Sequence, residues 1–236
     1  MFRNSKAVIL LGPPGSGKTT IGSYLAAHED LSMIKAGKLL KDEMKKRTWW
    51  GDQLKLYLDN QLFPPARIVK EVIAQSVEWS SSEIIVFEGF PRSMDEINSF
   101  FEIEIREELI LSAVIVLKLS LETSLERLSS RLVCKSCGSV FNLVHFPPQR
   151  RKVCDICGKS LHQLKDDSPE KIRNRIEYFR KHTVPVIDHF KKHYSKKTFF
   201  LDGEKKVFEL SEPVLTIIRR GSYGDNENCC NRNSRY

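Results

Sequence analysis

Residues 7–20 read AVILLGPPGSGKTT, an aliphatic run followed directly by a glycine-rich turn. Five consecutive aliphatic residues predict a buried strand, and residues 21–28 behind the turn have helical composition. The turn from Gly12 to Thr19 matches the pattern Gly-x-x-x-x-Gly-Lys-Thr, which requires this strand-to-helix context. Glycines let successive N–H groups point inwards, and the helix N-terminus adds partial positive charge. We therefore predict a cradle for a polyphosphate rather than a Gly/Pro-rich turn that binds nothing.

The polar side chains of this turn have separate predicted roles. Lys18 would reach the β- and γ-phosphates of a bound polyphosphate, and Thr19 or Thr20 would offer a hydroxyl to Mg²⁺. The predicted phosphate- and magnesium-binding residues of the turn are Gly12, Gly15, Ser16, Gly17, Lys18, Thr19 and Thr20.

Length and charge set the broad class of the protein. The 236 residues are enough for one α/β core with insertions. The 38 Lys and Arg residues against 30 Asp and Glu give a net charge of +8, which suits nucleotides, nucleic acid or a membrane surface. Residues 1–6 are too few for a signal peptide, and the run 7–11 is far too short to span a membrane. We therefore expect a soluble, cytoplasmic protein.

Apolar runs and helical patterns continue to alternate along the chain. Strands are predicted over 31–34, 84–87, 113–117 and 198–201, and helices over 37–44, 54–62, 66–79, 121–132 and 168–193, with a closing helix that includes 214–218. The basic section from Lys35 to Pro65 is predicted to be a helical hairpin inserted between core elements. Residues 221–236 are polar and lack an apolar period, so we predict a disordered tail and assign no role to Cys229 and Cys230.

Charged residues stand at positions that favour phosphate chemistry. Glu88 ends the predicted strand 84–87, where a carboxylate next to a phosphate loop can orient magnesium. It is followed by Gly89-Phe90-Pro91-Arg92, whose arginine can clamp a phosphate bidentately. Arg127 and Arg131 are four residues apart on one face of the helix predicted before the cysteines. We expect both arginines to line the cleft.

Four cysteines form two Cys-x-x-Cys turns, Cys134-Lys-Ser-Cys137-Gly138 and Cys154-Asp-Ile-Cys157-Gly158, with sixteen residues between them. This spacing is typical of a tetrahedral metal site, and the glycine after each pair permits the backbone turn around the metal. Zinc is the first choice. Because four thiolates leave no open coordination position, the metal would be structural. An iron–sulfur cluster and a pair of disulfides remain alternatives.

The ordered set of these motifs, together with Asp166-Asp167 and Asp202-Gly203, resembles the adenylate kinase family in its long form with a zinc-bearing lid. The likeness covers nearly everything from Lys6 to Arg220. It implies an α/β P-loop NTPase three-layer fold with a five-stranded parallel sheet. The implied units are a core (1–34, 65–129 and 168–220), an insertion that binds a nucleoside monophosphate (35–64), and a zinc-binding lid (130–167), followed by the disordered tail (221–236).

The same resemblance implies reversible phosphoryl transfer from Mg·ATP to a nucleoside monophosphate, AMP in this family, by a monomeric enzyme of nucleotide biosynthesis. By matching positions, Lys18 and the loop amides would hold the donor phosphates, and Arg127 would lie against the donor base and phosphates. Arg131 and Arg175 would close on the transferring group. Asp166 and Asp167 would brace the lid arginines, and Glu88 would serve the magnesium ion. The acceptor would be bound by Ala36, Gly37, Lys41, Gly89, Arg92 and Glu96.

Several residues depart from the family pattern. Lys35-Ala36-Gly37-Lys38 replaces Ser/Thr-Thr-Gly-Asp, Lys41 replaces an arginine, and Glu88 replaces an aspartate. Glu96 stands where the family has the glutamine that reads the acceptor base, and Leu164 stands where a lid arginine is expected. A different acceptor such as GMP, or a relative that binds nucleotides with low activity, is therefore an open alternative.

A nucleic-acid-binding ATPase with a zinc ribbon is a further alternative. The basic residues cluster around the predicted nucleotide site, and no aromatic-basic RNA motif is present. We therefore expect no nucleic-acid partner and no membrane partner.

Overall fold

The computed structural model of the chain describes residues 5–60, 62–164 and 167–220, apart from the side chain of Arg220. The strands are β1 (Ser5–Leu11), β2 (Ser32–Lys35), β3 (Ile84–Glu88), β4 (Leu109–Lys118), β5 (Arg131–Cys134), β6 (Val140–Asn142), β7 (Leu161–His162) and β8 (Thr198–Asp202). The helices are α1 (Lys18–His28), α2 (Ala36–Glu43), α3 (Trp49–Leu58), α4 (Ala66–Glu78), α5 (Met94–Arg106), α6 (Leu121–Ser129), α7 (Pro169–Tyr178), α8 (Val184–His193) and α9 (Val207–Arg220).

Five parallel strands form the central sheet in the order β2-β3-β1-β4-β8. Successive side chains of a strand point to opposite faces of the sheet. In β1, Ala7 and Ile9 belong to the core that contains α4, α5 and α8, whereas Val8 and Leu10 belong to the core that contains α1 and α9. The sheet is therefore buried on both faces, which explains the continuous apolar runs and confirms the predicted α/β fold class.

The carboxyl ends of the parallel strands share one edge of this sheet. Leu10 of β1 pairs with Glu88 of β3, and Lys35 of β2 pairs with Glu88 from the other side. Ligands of open α/β sheets bind at this edge. The phosphate turn and Glu88 therefore meet at the edge where a ligand is expected.

The helix predicted over 121–132 needs correction. It ends at Ser129 as α6, and Arg131 begins β5 because residues 131–133 pair with β6. Arg127 and Arg131 therefore do not share a helix face.

Two further helices differ from the prediction. The helix predicted over 54–62 begins at Trp49, because the Thr48 hydroxyl accepts a hydrogen bond from the Gly51 N–H and caps the N-terminus. Helix α5 was not among the predicted elements. Ser93 caps it by accepting a hydrogen bond from the Glu96 N–H, and its apolar face is buried against the sheet.

Strands β5, β6 and β7 form a small antiparallel sheet in the order β6-β5-β7. Its buried cluster consists of Leu132, Cys134, Phe141, Cys154 and Leu161. A core of this size stabilises little on its own, so the four cysteines are central to the order of this section.

The helix predicted over 168–193 is a helical run in which a π-helical turn, Phe179–Thr183, joins α7 to α8. Ser168 caps α7 and Pro169 opens it, as predicted. Asp166 and the predicted tail 221–236 lie outside the described residues. Within the described ranges, every helix is too short or too polar to cross a membrane.

Candidate functional site

The phosphate turn connects β1 to α1 in the predicted position. Gly12, Gly15 and Gly17 have φ angles of 148°, 82° and 88°, which residues other than glycine rarely adopt. A Cβ atom at Gly12 would lie 2.7 Å from the Leu117 carbonyl oxygen. The backbone therefore turns as closely as a phosphate-binding cradle requires.

Lys18 folds back over this turn. Its Nζ donates hydrogen bonds to the Gly12 and Pro13 carbonyls at 2.7 and 2.8 Å, and to the Ser16 Oγ at 3.0 Å. The pKa of Lys18 is lowered to about 7, first because the surrounding protein removes water from the ammonium group. Glu88 opposes this shift. The neighbouring cations Arg92, Arg175 and Arg131 add to it.

The lowered pKa of Lys18 also indicates which charged groups lie near its ammonium group. Burial is the largest cause of the shift, and the smaller arginine contributions come from three distant segments whose guanidinium groups act on one ammonium group. Positive charge gathered in this way favours a polyanion.

Thr19 and Glu88 lie together beside the turn. The Thr19 Oγ1 donates to Glu88 Oε1 at 2.5 Å, while Thr20 is exposed on the first turn of α1. Glu88 Oε2 is buried and has no hydrogen-bond partner among the described residues. An orphaned carboxylate oxygen next to a hydroxyl is a donor set that suits a hard cation such as Mg²⁺. These side chains therefore fit the implied magnesium ion.

Arg92 is held from two elements. Its Nε donates to the Gly89 carbonyl at 2.5 Å, and its own carbonyl accepts a hydrogen bond of 3.0 Å from Thr183 Oγ1. A Cβ atom at Gly89 would lie 2.7 Å from an Arg92 NH2 nitrogen, and one at Gly37 would lie 3.4 Å from it. The guanidinium therefore lies between the residues after β3 and the start of α2.

A cavity adjoins Arg92. The apolar side chains of Ala36, Leu40 and Val69 line it, and Glu96 is its acidic group. Glu96 is 6% exposed, and its Oε2 accepts a hydrogen bond of 2.6 Å from the Arg92 N–H. Burial raises the pKa of Glu96, and the Arg92 N–H acts in the opposite direction. A buried carboxylate in an apolar pocket next to an arginine can read a polar edge of a planar base.

The aromatic residues Phe63 and Tyr178 also line this cavity and were not predicted from the sequence. They come from distant segments, and no short motif links them. Lys41, predicted as an acceptor residue, is exposed on α2 outside the cavity lining.

Two arginines converge on Asp167. Arg131 makes a bidentate contact, from Nε to Oδ2 at 2.8 Å and from NH2 to Oδ1 at 2.6 Å, and Arg175 NH1 lies 3.2 Å from Oδ1. Asp167 is 2% exposed, so its charge requires such partners. Arg127 instead donates to the carbonyls of Gly203 and Glu204 at 2.7 and 3.0 Å. Arg131 and Arg175 are therefore braced together, while Arg127 is fixed to the loop after β8.

The four cysteines converge, with all their sulfur atoms within 4.8 Å of one another. The Sγ atoms of Cys134 and Cys157 are 3.4 Å apart, and those of Cys137 and Cys154 are 3.6 Å apart. These distances are far longer than a disulfide bond and close to the ~3.8 Å between thiolates around tetrahedral zinc. The cluster could therefore hold one zinc ion.

Both cysteine turns have the same backbone geometry. The Gly138 and Gly158 N–H groups donate to the Cys134 and Cys154 carbonyls at 2.9 and 2.8 Å, with φ angles of 78° and 69°. Each glycine thus permits the left-handed turn predicted for a metal-binding knuckle.

Known proteins of similar sequence belong to the family that the sequence motifs resemble. A family model described as adenylate kinase matches residues 10–195. The chain is 33% identical over 214 residues to an adenylate kinase of Caldicellulosiruptor bescii, a match that covers 89% of this chain and 98% of that protein. It is 32% identical over 212 residues to the adenylate kinase of Caldicellulosiruptor saccharolyticus, covering 89% and 98%. It is 31% identical over 213 residues to the adenylate kinase of Methanocella arvoryzae, covering 90% and 98%.

Proposed function

The chain belongs to the adenylate kinase family of phosphotransferases, and on that premise we propose that it transfers the γ-phosphoryl group of Mg·ATP reversibly to a nucleoside monophosphate. The observation that carries this proposal is the convergence of cations from several segments of the chain around Lys18. Lys18, Arg92, Arg131 and Arg175 lie close enough to interact electrostatically. Phosphoryl transfer asks mainly for positioned positive charge around the moving group, so this convergence supports the proposal.

On the donor side, the amides of the phosphate turn and Lys18 bind the phosphates of ATP, and Arg127 lies against the donor base and phosphates. Thr19 and Glu88 hold the magnesium ion, which neutralises charge on the β- and γ-phosphates when bound. Phosphates entering the turn accept the hydrogen bonds that Lys18 otherwise donates to the backbone.

On the acceptor side, Arg92 binds the phosphate of the monophosphate, and Ala36, Gly37, Gly89 and Glu96 surround the nucleoside. Lys41, exposed on α2, would contribute only after the 35–64 section moves. Arg131 and Arg175, braced by Asp167 and by the predicted Asp166, stabilise the transferring group. AMP is the acceptor that the names of the relatives support.

The proposed units are those implied by the sequence: the core, the acceptor-binding insertion 35–64, and the lid 130–167 with one structural zinc ion. Closure of the lid would exclude water, which otherwise competes with the acceptor for the phosphoryl group. By likeness to the family, we also propose a monomeric, cytoplasmic enzyme of nucleotide biosynthesis.

Glu96 favours a second candidate, in which GMP is the acceptor. An ionised carboxylate only accepts hydrogen bonds, whereas a glutamine also donates. Guanine presents two adjacent donors, N1–H and the 2-amino group, and one carboxylate can receive both. Glu96 Oε2 already accepts a hydrogen bond from the Arg92 N–H. The two guanine donors would therefore bind to Oε1 and to the remaining lone pair of Oε2.

A screen of AMP, GMP, CMP and UMP with Mg·ATP tests these proposals. Formation of ADP and of the matching diphosphate is followed by chromatography, with Lys18→Ala as the blank. Lys196→Ala is the matched control, since Lys196 is an exposed lysine before β8, at the opposite end of the sheet. Preference for AMP supports the first candidate. A preference for GMP that shifts towards AMP in the Glu96→Gln variant supports the second candidate.

Two outcomes would contradict phosphoryl transfer to a monophosphate. ATP binding without diphosphate formation above the blank would identify a nucleotide-binding relative. Hydrolysis of ATP that needs a polynucleotide and no monophosphate would identify a nucleic-acid-dependent ATPase.

A further inference from the structure

Two aromatic rings close the acceptor cavity. Phe63 lies between α3 and α4, and Tyr178 is the last residue of α7. Their ring centroids are 3.3 Å apart with an interplanar angle of 18°. Both residues line the cavity that contains Arg92 and Glu96. Each ring therefore covers one flat face of the other at the site where a planar base is expected.

The other face of Tyr178 is also covered. The His182 ring stacks on Tyr178 with a centroid distance of 4.4 Å and an interplanar angle of 27°. Since Phe63 and His182 both lie nearly parallel to Tyr178 in contact with it, they cover its opposite faces. His182 lies one turn further along the same helical run and supports the Tyr178 ring from behind.

Phe63 is the more exposed partner of the stack. Its side chain is 44% exposed, and Pro64 and Pro65 follow it outside any helix. Tyr178, by contrast, is only partly exposed and belongs to α7. Displacing Phe63 requires movement of a loop side chain, whereas displacing Tyr178 requires movement of a helix end.

The hydroxyl of Tyr178 lies in the electrostatic field of the acidic residue of the pocket. The pKa of Tyr178 is raised to about 12, first by burial and then by the Glu96 carboxylate. Tyr178 therefore stays neutral at physiological pH, and its ring remains a suitable surface for a neutral base.

We propose that Phe63 and the acceptor base compete for the same face of Tyr178, so that Phe63 is a gate and Tyr178 a specificity-determining residue. This inference rests on the proposed transfer to a nucleoside monophosphate. The entering base replaces one aromatic contact by another, and Glu96 reads its edge. Because purines offer a larger stacking face than pyrimidines, the Tyr178 ring favours purine acceptors.

The two members of the pair have opposite predicted effects, and their substitution is the test. Tyr178→Ala removes the stacking surface and should raise the KM and the Kd of the preferred monophosphate about 10-fold or more. Phe63→Ala removes the competing ring and should lower those values several-fold. Tyr178→Phe keeps the ring and should behave like the unaltered protein. The KM of Mg·ATP should change in none of them.

Phe146→Ala is the matched control, because Phe146 also stacks on a second ring, that of Phe141, away from this cavity. Thermal melting of each variant shows that it is folded, and Phe63→Leu, which stays apolar but cannot stack, should act like Phe63→Ala. An unchanged or raised acceptor KM in Phe63→Ala would overturn the gate. Unchanged acceptor affinity in Tyr178→Ala would overturn the stacking role.

The Kd is measured by calorimetry with the monophosphate alone. The binding measurements therefore test the role of the two rings even if the unaltered protein transfers no phosphoryl group. The lack of transfer would count against the proposed function alone.

Discussion

At the scale of single residues, the surroundings of Lys18 favour the binding of an anion. Burial and three arginines lower its pKa to about 7. A bound polyphosphate adds negative charge beside the ammonium group and returns this pKa towards its ordinary value of about 10.4. Binding should therefore take up a proton whenever the empty protein holds Lys18 neutral.

We predict uptake of close to one proton per Mg·ATP bound at about pH 8, where about nine in ten empty molecules would carry neutral Lys18. The uptake should fall towards zero near pH 6, where the residue is already charged. Calorimetry in buffers of different ionisation enthalpy measures it. Uptake that is absent at pH 8, or as large at pH 6 as at pH 8, would show that Lys18 does not titrate as described.

The same pKa has a consequence for folding. Because the folded pKa of Lys18 lies below its unfolded value, the unfolded chain binds more protons between the two pKa values. The contribution of Lys18 to stability therefore rises with pH from about 7 to about 10.4. Nucleotide affinity and stability of the empty protein should thus respond to pH in opposite directions.

Leu164 carries a second prediction at the residue scale. Its carbonyl accepts a hydrogen bond from the Asp167 N–H at 3.0 Å, so its backbone lies beside the aspartate that braces Arg131 and Arg175. Leu164→Arg would add a guanidinium at the position where the family has one. One phosphate-stabilising donor can contribute on the order of 10²-fold to kcat, so we expect a rise in kcat up to that size with little change in the KM of ATP.

Steady-state kinetics with the preferred acceptor measure this effect. Leu143→Arg makes the same substitution at an exposed leucine of the cysteine-bearing section and should leave kcat unchanged. An equal response of the two variants would mean that added surface charge, rather than position 164, is responsible.

The sequence predicted many of the residues that converge, because each belongs to a short motif with its own physical reason. Lys18, Thr19 and Glu88 meet as expected from a strand, turn and helix in a parallel sheet. Phe63 and Tyr178 could not be predicted in this way, since their contact depends on how the hairpin and α7 meet in space. Which roles these residues perform stays a prediction.

At the scale of elements, the boundary between α6 and β5 shows how periodicity misleads. Leu128 and Leu132 have helical spacing, but Leu128 packs with α7 whereas Leu132 is buried in the small sheet. The strand pairing of residues 131–133 with β6 therefore overrides the helical pattern. In α5 the spacing of Ile97, Phe100 and Ile103 does mark a buried helical face.

The small sheet also gives a physical reason to expect a structural metal. Two of the five residues in its buried cluster are cysteines, so without a metal little apolar surface remains to hold three short strands together. We predict that Cys137→Ser, or removal of metal by a chelator, makes this section cleavable by trypsin at basic residues such as Arg150 and Lys152. Cleavage should be faster by on the order of 10-fold.

Metal analysis accompanies the proteolysis. We expect one zinc and no iron or labile sulfide per chain, and a loss of zinc in Cys137→Ser. Cys229→Ser, outside the two Cys-x-x-Cys turns, is the control and should keep both the metal and the resistance to trypsin. Iron and sulfide, or a trypsin-resistant metal-free protein, would contradict a structural zinc ion.

At the scale of the whole molecule, the parallel sheet brings the ends of β1, β2 and β3, and the residues that follow them, to one edge. The buried strands could be predicted because continuous apolar runs are needed where both faces are covered. Their order, β2-β3-β1-β4-β8, does not follow from periodicity, and the family resemblance implied only that five strands form a parallel sheet. The placement of the small sheet and of the hairpin depends on contacts between elements, which local patterns do not specify.

The central physical claim is that the donor and acceptor phosphates occupy one continuous cavity between Lys18 and Arg92. The most direct measurement is calorimetric binding of a dinucleoside pentaphosphate that carries adenosine at one end and the preferred acceptor nucleoside at the other. We expect one molecule per chain, bound about 10²-fold or more tightly than ATP or the monophosphate alone, because one ligand fills both sites. Lys18→Ala and Arg92→Ala should each abolish this advantage, and Lys196→Ala should keep it. Binding no tighter than that of ATP, with Arg92→Ala indistinguishable from the unaltered protein, would contradict a shared cavity.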